Sequence, residues 1–168
     1  MNYHNITHED MLNGDGIRVV LWVAGCNHHC PECQNPETWS VESGVPFDNE
    51  ALNELCVELN KEYVSGITFS GGDPLHPKNA DTVLEIVKWV RNNFPNKTIW
   101  LYTGYLFDYL LCVSDSRGTI VRLCDVIVDG EYMKDLRDVN LKWRGSSNQR
   151  VIDVKKSLEE GKVVLHCE

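Results

Sequence analysis

The sequence is organised around an eleven-residue stretch, Ala24-Gly25-Cys26-Asn27-His28-His29-Cys30-Pro31-Glu32-Cys33-Gln34, called the cysteine loop below. It spaces three cysteines as CxxxCxxC and follows an apolar run, residues 17–23, that predicts a buried strand. An all-cysteine iron-sulfur cubane takes four thiolates, one for each iron. A loop that offers three thiolates therefore leaves one iron open to a ligand that is not protein, and an open iron is a place to bind a substrate.

Two other interpretations of these cysteines remain open from the residues alone. Zinc accepts three thiolates together with His28 or His29, because structural zinc sites are closed and tetrahedral. Cys30 and Cys33 by themselves match a CxxC redox pair, but that interpretation leaves Cys26 without a role. The cluster interpretation is favoured because other parts of the chain supply what a cluster needs.

Length and charge limit the classes of function. The 168 residues suit one domain, residues 1–168, in which the tail 151–168 is either frayed or a short helix around Leu158 followed by a strand around Val164. The formal charge of -9 and the pI near 5.1 argue against nucleic acid and against an anionic membrane surface, since no basic run offsets this charge. The expected partner is a protein or a small molecule.

The start of the sequence, its apolar runs and its other cysteines bear on the cellular compartment. No signal-peptide pattern begins the sequence, and no apolar run approaches the roughly 18 residues that a bilayer span requires. The sequence therefore predicts a cytoplasmic protein, in which cysteines act as ligands or free thiols. Four cysteines outside the motif are predicted to be packing residues: Cys56, Cys112, Cys124 and Cys167.

Apolar periodicity after the cysteine loop alternates between the helical and the strand pattern. The predicted elements are helix 49–62, strand 67–69, helix 83–94, strand 98–102, a helix around residues 107–111 and strand 126–128. Asp48 is a good N-cap for the first helix, and Pro95 ends the second. Residues 1–16 are polar and predict only an entry turn. The alternation is typical of parallel strands joined by right-handed crossovers, so we expect an α/β fold.

Four polar or glycine-rich segments directly follow the predicted strands. They are the cysteine loop, Ser70-Gly71-Gly72-Asp73, Thr103-Gly104 and Asp129-Gly130. In parallel α/β folds the loops that leave the C-terminal strand ends converge on one face, where ligands bind. Glycine carries no side chain, so the Gly-Gly pair also lets the backbone approach a ligand closely. The sequence thus predicts a binding site where the four loops meet.

Together these motifs resemble the radical S-adenosylmethionine (SAM) enzymes, and within them the activases of anaerobic ribonucleotide reductase. The resemblance covers residues 1–150 and rests on the cysteine motif and on residues 70–75, 100–105, 125–130 and 143–150. The chain departs from the family pattern at Glu32, where many members carry an aromatic residue. It also departs at Gln34, where activases often carry tyrosine.

The resemblance implies the fold, the cofactors and the residues that hold them. The fold would be a partial (β/α) barrel of parallel strands in a single domain. Cys26, Cys30 and Cys33 would hold a 4Fe-4S cluster, and the amino and carboxylate groups of SAM would chelate the open iron. The residues placed against SAM are Glu32, Cys33, Gln34, Gly71, Gly72 and Thr103.

The resemblance also implies the reaction and the partners. An electron from the cluster would cleave SAM to methionine and a 5'-deoxyadenosyl radical, which would take hydrogen from a backbone glycine of the large subunit of anaerobic ribonucleotide reductase. A one-electron reductant protein is the second implied partner, and no catalytic acid-base pair is needed because the cofactors carry the chemistry. Arg144 and Arg150 would belong to the docking surface. Two alternatives are a zinc-bound regulatory or binding module and a SAM-dependent methyltransferase-like enzyme.

Overall fold

The computed structural model describes residues 1–167, which form one seven-stranded sheet and five α-helices. The strands are β1 (Asn2–Asp10), β2 (Ile17–Val23), β3 (Val45–Pro46), β4 (Val64–Gly71), β5 (Thr98–Tyr102), β6 (Val126–Asp129) and β7 (Arg150–Asp153). The helices are α1 (Asn49–Leu59), α2 (Ala80–Asn93), α3 (Phe107–Cys112), α4 (Ser116–Leu123) and α5 (Val154–Glu160). Glu168, the last residue of the predicted tail, lies outside the described residues. None of the helices in residues 1–167 has the length and apolar character needed to cross a membrane.

Four parallel strands form the middle of the sheet, in the order β2-β4-β5-β6. Antiparallel strands flank them, with β1 on β2, β3 on β1 and β7 on β6. The predicted α/β class and its four parallel strands are confirmed. In the described chain the sheet ends at β3 and β7, so it is open.

Local sequence signals set most element boundaries. β2 and β5 have the predicted bounds, and α1 begins where Asp48 was expected to cap it. The Asp48 carboxylate accepts the backbone N–H groups of Glu50 and Ala51, which an uncapped helix would leave without partners. α2 ends two residues before Pro95, which has no N–H and cannot continue a helix.

Residues 2–10 form a strand, whereas the sequence predicted only an entry turn. They form β1, although Ile6 is its only buried residue. This strand exists because its backbone pairs with β2, and backbone pairing at a sheet edge does not require an apolar sequence. β7 arises in the same way beside β6, in a stretch that shows no strand periodicity.

The two faces of the sheet are covered differently. The buried residues of the helices pack into one large cluster, whereas a second cluster contains Trp100, Val126, Val128 and Val151 and no helical residue. The C-terminal tail lies beside this second face, where the His166 N–H donates to the Val151 carbonyl at 2.8 Å. The predicted helix around Leu158 is α5, but the predicted strand is reduced to a single bridge between residues 165 and 152.

Arg18 is fully buried within the apolar run that predicts β2. Its five N–H donors are all paired, with the Thr68 hydroxyl, the hydroxyl and carbonyl of Thr98, and the carbonyls of Asp15 and Ile67. Burial lowers the pKa of Arg18 to about 10, so the side chain stays charged at neutral pH. A buried cation is tolerated because no donor is left unpaired, and its bonds fix β2, β4 and β5 relative to one another.

Candidate functional site

A cavity of about 470 Å³ opens at the C-terminal ends of the parallel strands. All four segments that were predicted to converge contribute to its lining. The predicted residues found there are Cys26, Cys30, Cys33, Gln34, Gly71, Gly72, Thr103 and Gly130. The volume lies within the range of about 300–1,000 Å³ that is usual for small-molecule sites. The convergence of the loops is therefore a feature of the structure.

Glu32 is the predicted site residue that does not line this cavity. Its side chain is 60% exposed and forms an ion pair with Lys134. The backbone at Glu32 adopts the left-handed region, with φ of 57°. This geometry gives no support to a contact between Glu32 and SAM.

Backbone hydrogen bonds hold the start and the end of the cysteine loop. The Gly25 N–H donates to the Thr38 carbonyl at 2.7 Å, and the Cys26 N–H donates to the Trp39 carbonyl at 3.0 Å. At the other end, the Cys33 N–H donates to the carbonyl of Cys30 at 3.0 Å. The loop therefore leaves β2 along a path set by residues 38 and 39.

The three cysteines of the loop are free, partly buried thiols. Burial raises the pKa of Cys26 to about 11, although backbone N–H groups of His28 and His29 act in the opposite direction. Burial likewise raises the pKa of the Cys30 thiol. Metal ions bind thiolates, so loading this loop must release protons.

The neighbouring histidines do not complete a closed zinc site. His28 has Nε2 at 2.9 Å from Asp73 Oδ2 and Nδ1 at 2.8 Å from Glu131 Oε1, and the ring of His29 stacks on Trp39. Across residues 1–167, no three His, Cys, Asp or Glu side chains are grouped as ligands of one metal ion. Cysteines that each bind a different iron of a cubane need not meet at one point. The donor set therefore fits a cluster better than zinc.

Gly71 and Gly72 place the end of β4 against the cysteine loop. Gly71 has φ of 99°, a conformation that side-chain-bearing residues rarely adopt. The Gly72 N–H donates to the Val23 carbonyl at 2.8 Å, and a Cβ added at Gly72 would lie 2.5 Å from the Gly25 carbonyl oxygen. Gly72 thus lacks a side chain because the loop after β4 packs directly against the cysteine loop at Gly25.

Asp73 connects the loops, a role that sequence reasoning missed. Its carboxylate is 2% exposed and accepts the Thr103 hydroxyl at 3.0 Å and the Gly104 N–H at 3.0 Å. It also lies within hydrogen-bond distance of His28. The Thr103 hydroxyl lines the cavity but donates its proton inside the protein. An acidic residue directly after a Gly-Gly pair at a strand end was the signal that could have revealed this role.

Residues 143–150, part of which the resemblance implied for docking, contribute Trp143, Arg144, Gly145 and Gln149 to the cavity lining. Ser146 is fully buried, and Gln149 Oε1 accepts the N–H groups of Gly145 and Ser146. Arg144 lines the cavity and donates to the Gln149 carbonyl at 2.7 Å. Arg150 instead donates to the carboxylates of Asp129 and Asp108, so its guanidinium is already used within the chain.

Arg150→Ala is expected to lower the free energy of unfolding by about 3–5 kcal/mol, because the buried Asp129 carboxylate keeps the Phe107 N–H at 2.8 Å but loses its counter-ion. Asp129 is 0% exposed, and Arg150 Nε donates to its Oδ1 at 3.0 Å. Urea unfolding measures the change. The matched control is Lys162→Ala, which removes an exposed pair with Glu160 and should cost less than about 1 kcal/mol. Equal, small effects of both substitutions would show that the pair between Arg150 and Asp129 does not stabilise the fold.

Comparisons with known proteins agree with this geometry. Residues 12–152 match the 4Fe-4S single cluster domain family. The chain is 44% identical over 153 residues to the anaerobic ribonucleoside-triphosphate reductase-activating protein of Escherichia coli (strain K12). This match covers 90% of this chain and 97% of that protein. The protein of the same name from Enterobacteria phage T4 is 44% identical over 151 residues, covering 90% of this chain and 93% of its own. The one from Vibrio cholerae serotype O1 is 40% identical over 151 residues, covering 89% and 96%.

Both kinds of match extend over most of the chain and include the cysteine loop, the Gly-Gly pair and the loops after β5 and β6. The chain therefore belongs to the family of anaerobic ribonucleoside-triphosphate reductase-activating proteins.

Proposed function

We propose that Cys26, Cys30 and Cys33 hold the 4Fe-4S cluster of a radical SAM oxidoreductase and that SAM occupies the cavity beside them. The protein is a glycyl-radical activase whose partner is the large subunit of anaerobic ribonucleotide reductase. One observation carries the proposal. Three free thiols of the cysteine loop line the same cavity as Gly71 and Gly72 at the end of β4. Three thiols leave the fourth position of a cubane open.

When bound, the cluster and SAM together supply a 5'-deoxyadenosyl radical that takes hydrogen from a backbone glycine of the partner. The residues of this chain bind and orient. The cysteines supply thiolates, and Gly71 leaves backbone groups uncovered in the cavity. Asp73 holds the loops after β4 and β5 together, which keeps the lining in one arrangement.

We place SAM against Cys33, Gln34, Gly71 and Gly72, all of which line the cavity. Thr103 lines it too. Its hydroxyl donates to Asp73 and accepts the Tyr105 N–H at 3.2 Å, which leaves one lone pair for a ligand. The sheet is proposed to curve as a partial barrel within a single domain. The second cluster, which contains no residue of a helix in the described residues 1–167, is consistent with an interior of this kind.

The cavity is open, so a partner must close it before a reactive radical is released. The large subunit would bring its glycine to this opening and exclude water from the site. A one-electron reductant protein would be the second partner, since a cluster held by Cys26, Cys30 and Cys33 would supply its chemistry only in the reduced form.

Mixing the reconstituted protein anaerobically with the large subunit, SAM and a one-electron reductant should produce a glycyl radical. Electron spin resonance would show it as a doublet on the large subunit, with methionine and 5'-deoxyadenosine as products. Matched reactions without SAM, or with the target glycine of the partner replaced by alanine, should give no doublet.

Three results would contradict this proposal. A SAM-responsive cluster without a glycyl radical would exclude the activase function while leaving the radical SAM class in place. S-adenosylhomocysteine as the product would indicate methyl transfer. Bound zinc without iron or sulfide would indicate a regulatory or binding module.

A further inference from the structure

A continuous set of hydrogen bonds crosses the site from one side to the other. It runs from Thr103 to Asp73, from Asp73 to His28 and from His28 to Glu131. These residues belong to the loops after β5, β4, β2 and β6 in that order. One chain of side-chain contacts thus joins all four loops at the cavity, and His28 is the member that the cysteine loop contributes.

The middle of the cysteine loop has no backbone ladder to hold it. Within the part of the chain that the structure describes, no N–H of residues 27–32 donates to a backbone carbonyl. His29 and Glu32 adopt left-handed φ values of 49° and 57°, which cost free energy for residues other than glycine. Side chains must therefore hold this conformation. His28 and Asn27 do so, and Asn27 Oδ1 lies 3.1 Å from His76 Nε2.

The ring of His28 is tightly enclosed. Its side chain is 11% exposed, and its centroid lies 4.7 Å from that of Tyr105 in an edge-on arrangement. A Cβ added at Gly104 would lie 2.5 Å from the ring, so a glycine at this position makes room for it. The two carboxylates it contacts differ in environment, because the Asp73 side chain is 2% exposed and that of Glu131 is 56% exposed. Asp73 is the inner anchor and Glu131 the outer one.

We propose that His28 is a positioning residue for radical generation. It clamps the middle of the cysteine loop to the other three loops, so that the thiols keep their place relative to Gly71 and Gly72 whether or not a cluster is bound. It acts through Asp73 and Glu131 and ligates no metal. The inference rests on the proposed function of this site, and misplacement of reacting groups by about 1 Å can cost roughly 100-fold in rate.

The first test uses metal-free protein and hydrogen exchange. His28→Ala should speed exchange of the amides of residues 26–34 by roughly tenfold or more, while amides of α1 and α2 keep their rates. His28→Gln retains one side-chain N–H for Asp73 and should restore most of the protection. The matched control is His29→Asn. It changes a histidine of the same loop that takes no part in this set of bonds, and asparagine tolerates the left-handed backbone at this position. It removes only the stacking contact with Trp39, so it should raise exchange of the loop clearly less than His28→Ala does.

Glu131→Gln keeps the test decisive if His28→Ala does not fold. Glu131 is exposed, and its replacement by glutamine removes only the negative charge of the outer anchor. Exchange of the loop amides should then rise by roughly threefold. Unchanged loop exchange in whichever of His28→Ala and Glu131→Gln folds would overturn the proposal, as would an increase spread evenly over the whole chain.

The second test uses reconstituted protein. His28→Ala should retain its iron and sulfide content, but the change that SAM causes in the electron spin resonance of the reduced cluster should weaken, with SAM affinity reduced by roughly tenfold. His28→Gln should recover this response. A purely structural role would instead lower iron content and thermal stability together, with no selective loss of the SAM response.

The wild-type protein separates the two proposals. If it forms a glycyl radical and His28→Ala matches it in loop exchange and SAM response, the positioning role fails and the activase function stands. If the wild type forms no glycyl radical, the function fails, while the exchange result still decides whether His28 holds the loop.

Discussion

Replacing Cys26, Cys30 or Cys33 with alanine will abolish assembly of the 4Fe-4S cluster, because each thiolate would hold a different iron. Among residues 1–167, no other cysteine lines the cavity, so no thiol is placed to substitute for a lost one. Loss of one of three ligands also removes the arrangement that leaves a single iron open. SAM binding to the cluster should be lost with it.

Iron and sulfide analysis after anaerobic reconstitution measures this effect. Cys56→Ala, Cys112→Ala and Cys167→Ala are matched controls, since the same change is made outside the cavity. All three should keep the iron content of the wild type. Full iron loading in a variant of the cysteine loop, or a lost cluster in a control, would show that the ligands are assigned wrongly.

Introducing valine at Gly72 should disable both the cysteine loop and SAM binding. An added Cβ would approach the Gly25 carbonyl oxygen to 2.5 Å and the Gly25 nitrogen to 3.0 Å. Gly25 directly precedes the first cysteine, and its carbonyl accepts the Asp73 N–H at 2.8 Å. The two loops must therefore move apart. Overpacking costs about 1–3 kcal/mol, so SAM affinity should fall by roughly tenfold or more.

This expectation differs from the one that sequence alone suggests. A Gly-Gly pair beside a ligand suggests that Gly72→Val would harm SAM binding and spare the cluster. Because the added group meets the cysteine loop, iron content should fall as well. The suitable control is Gly161→Ala, since nothing lies within 4 Å of a Cβ added at that position. Normal iron content in Gly72→Val would show that the added side chain does not displace the cysteine loop.

Several features of this protein could be predicted from the sequence because their signals are local. The spacing of three cysteines indicates the number of thiolates without any knowledge of the fold. Short apolar runs predicted β2 and β5 with their observed bounds, and the period of 3.6 residues located α2. Parallel strands then require that the loops at their C-terminal ends meet at one face.

The strands at the edges of the sheet could not be predicted in this way. β1 has one buried residue, so it lacks the apolar alternation of a half-buried strand. Its existence depends on backbone groups of β2 that need a partner. β7 depends in the same manner on β6, which precedes it by 20 residues. A pattern search along the chain does not see either dependence.

The tertiary structure alone decided which polar side chains act together. His28 meets Asp73 across 45 residues of sequence and Glu131 across 103. Arg150, which the resemblance suggested for docking, also pairs with the buried Asp129. Charges and hydrogen-bonding groups act over a few ångströms in space, and no spacing along the chain encodes which distant residue will be within that reach. The sequence by itself predicted the three candidate thiol ligands, and the fold determined which side chains hold their loop.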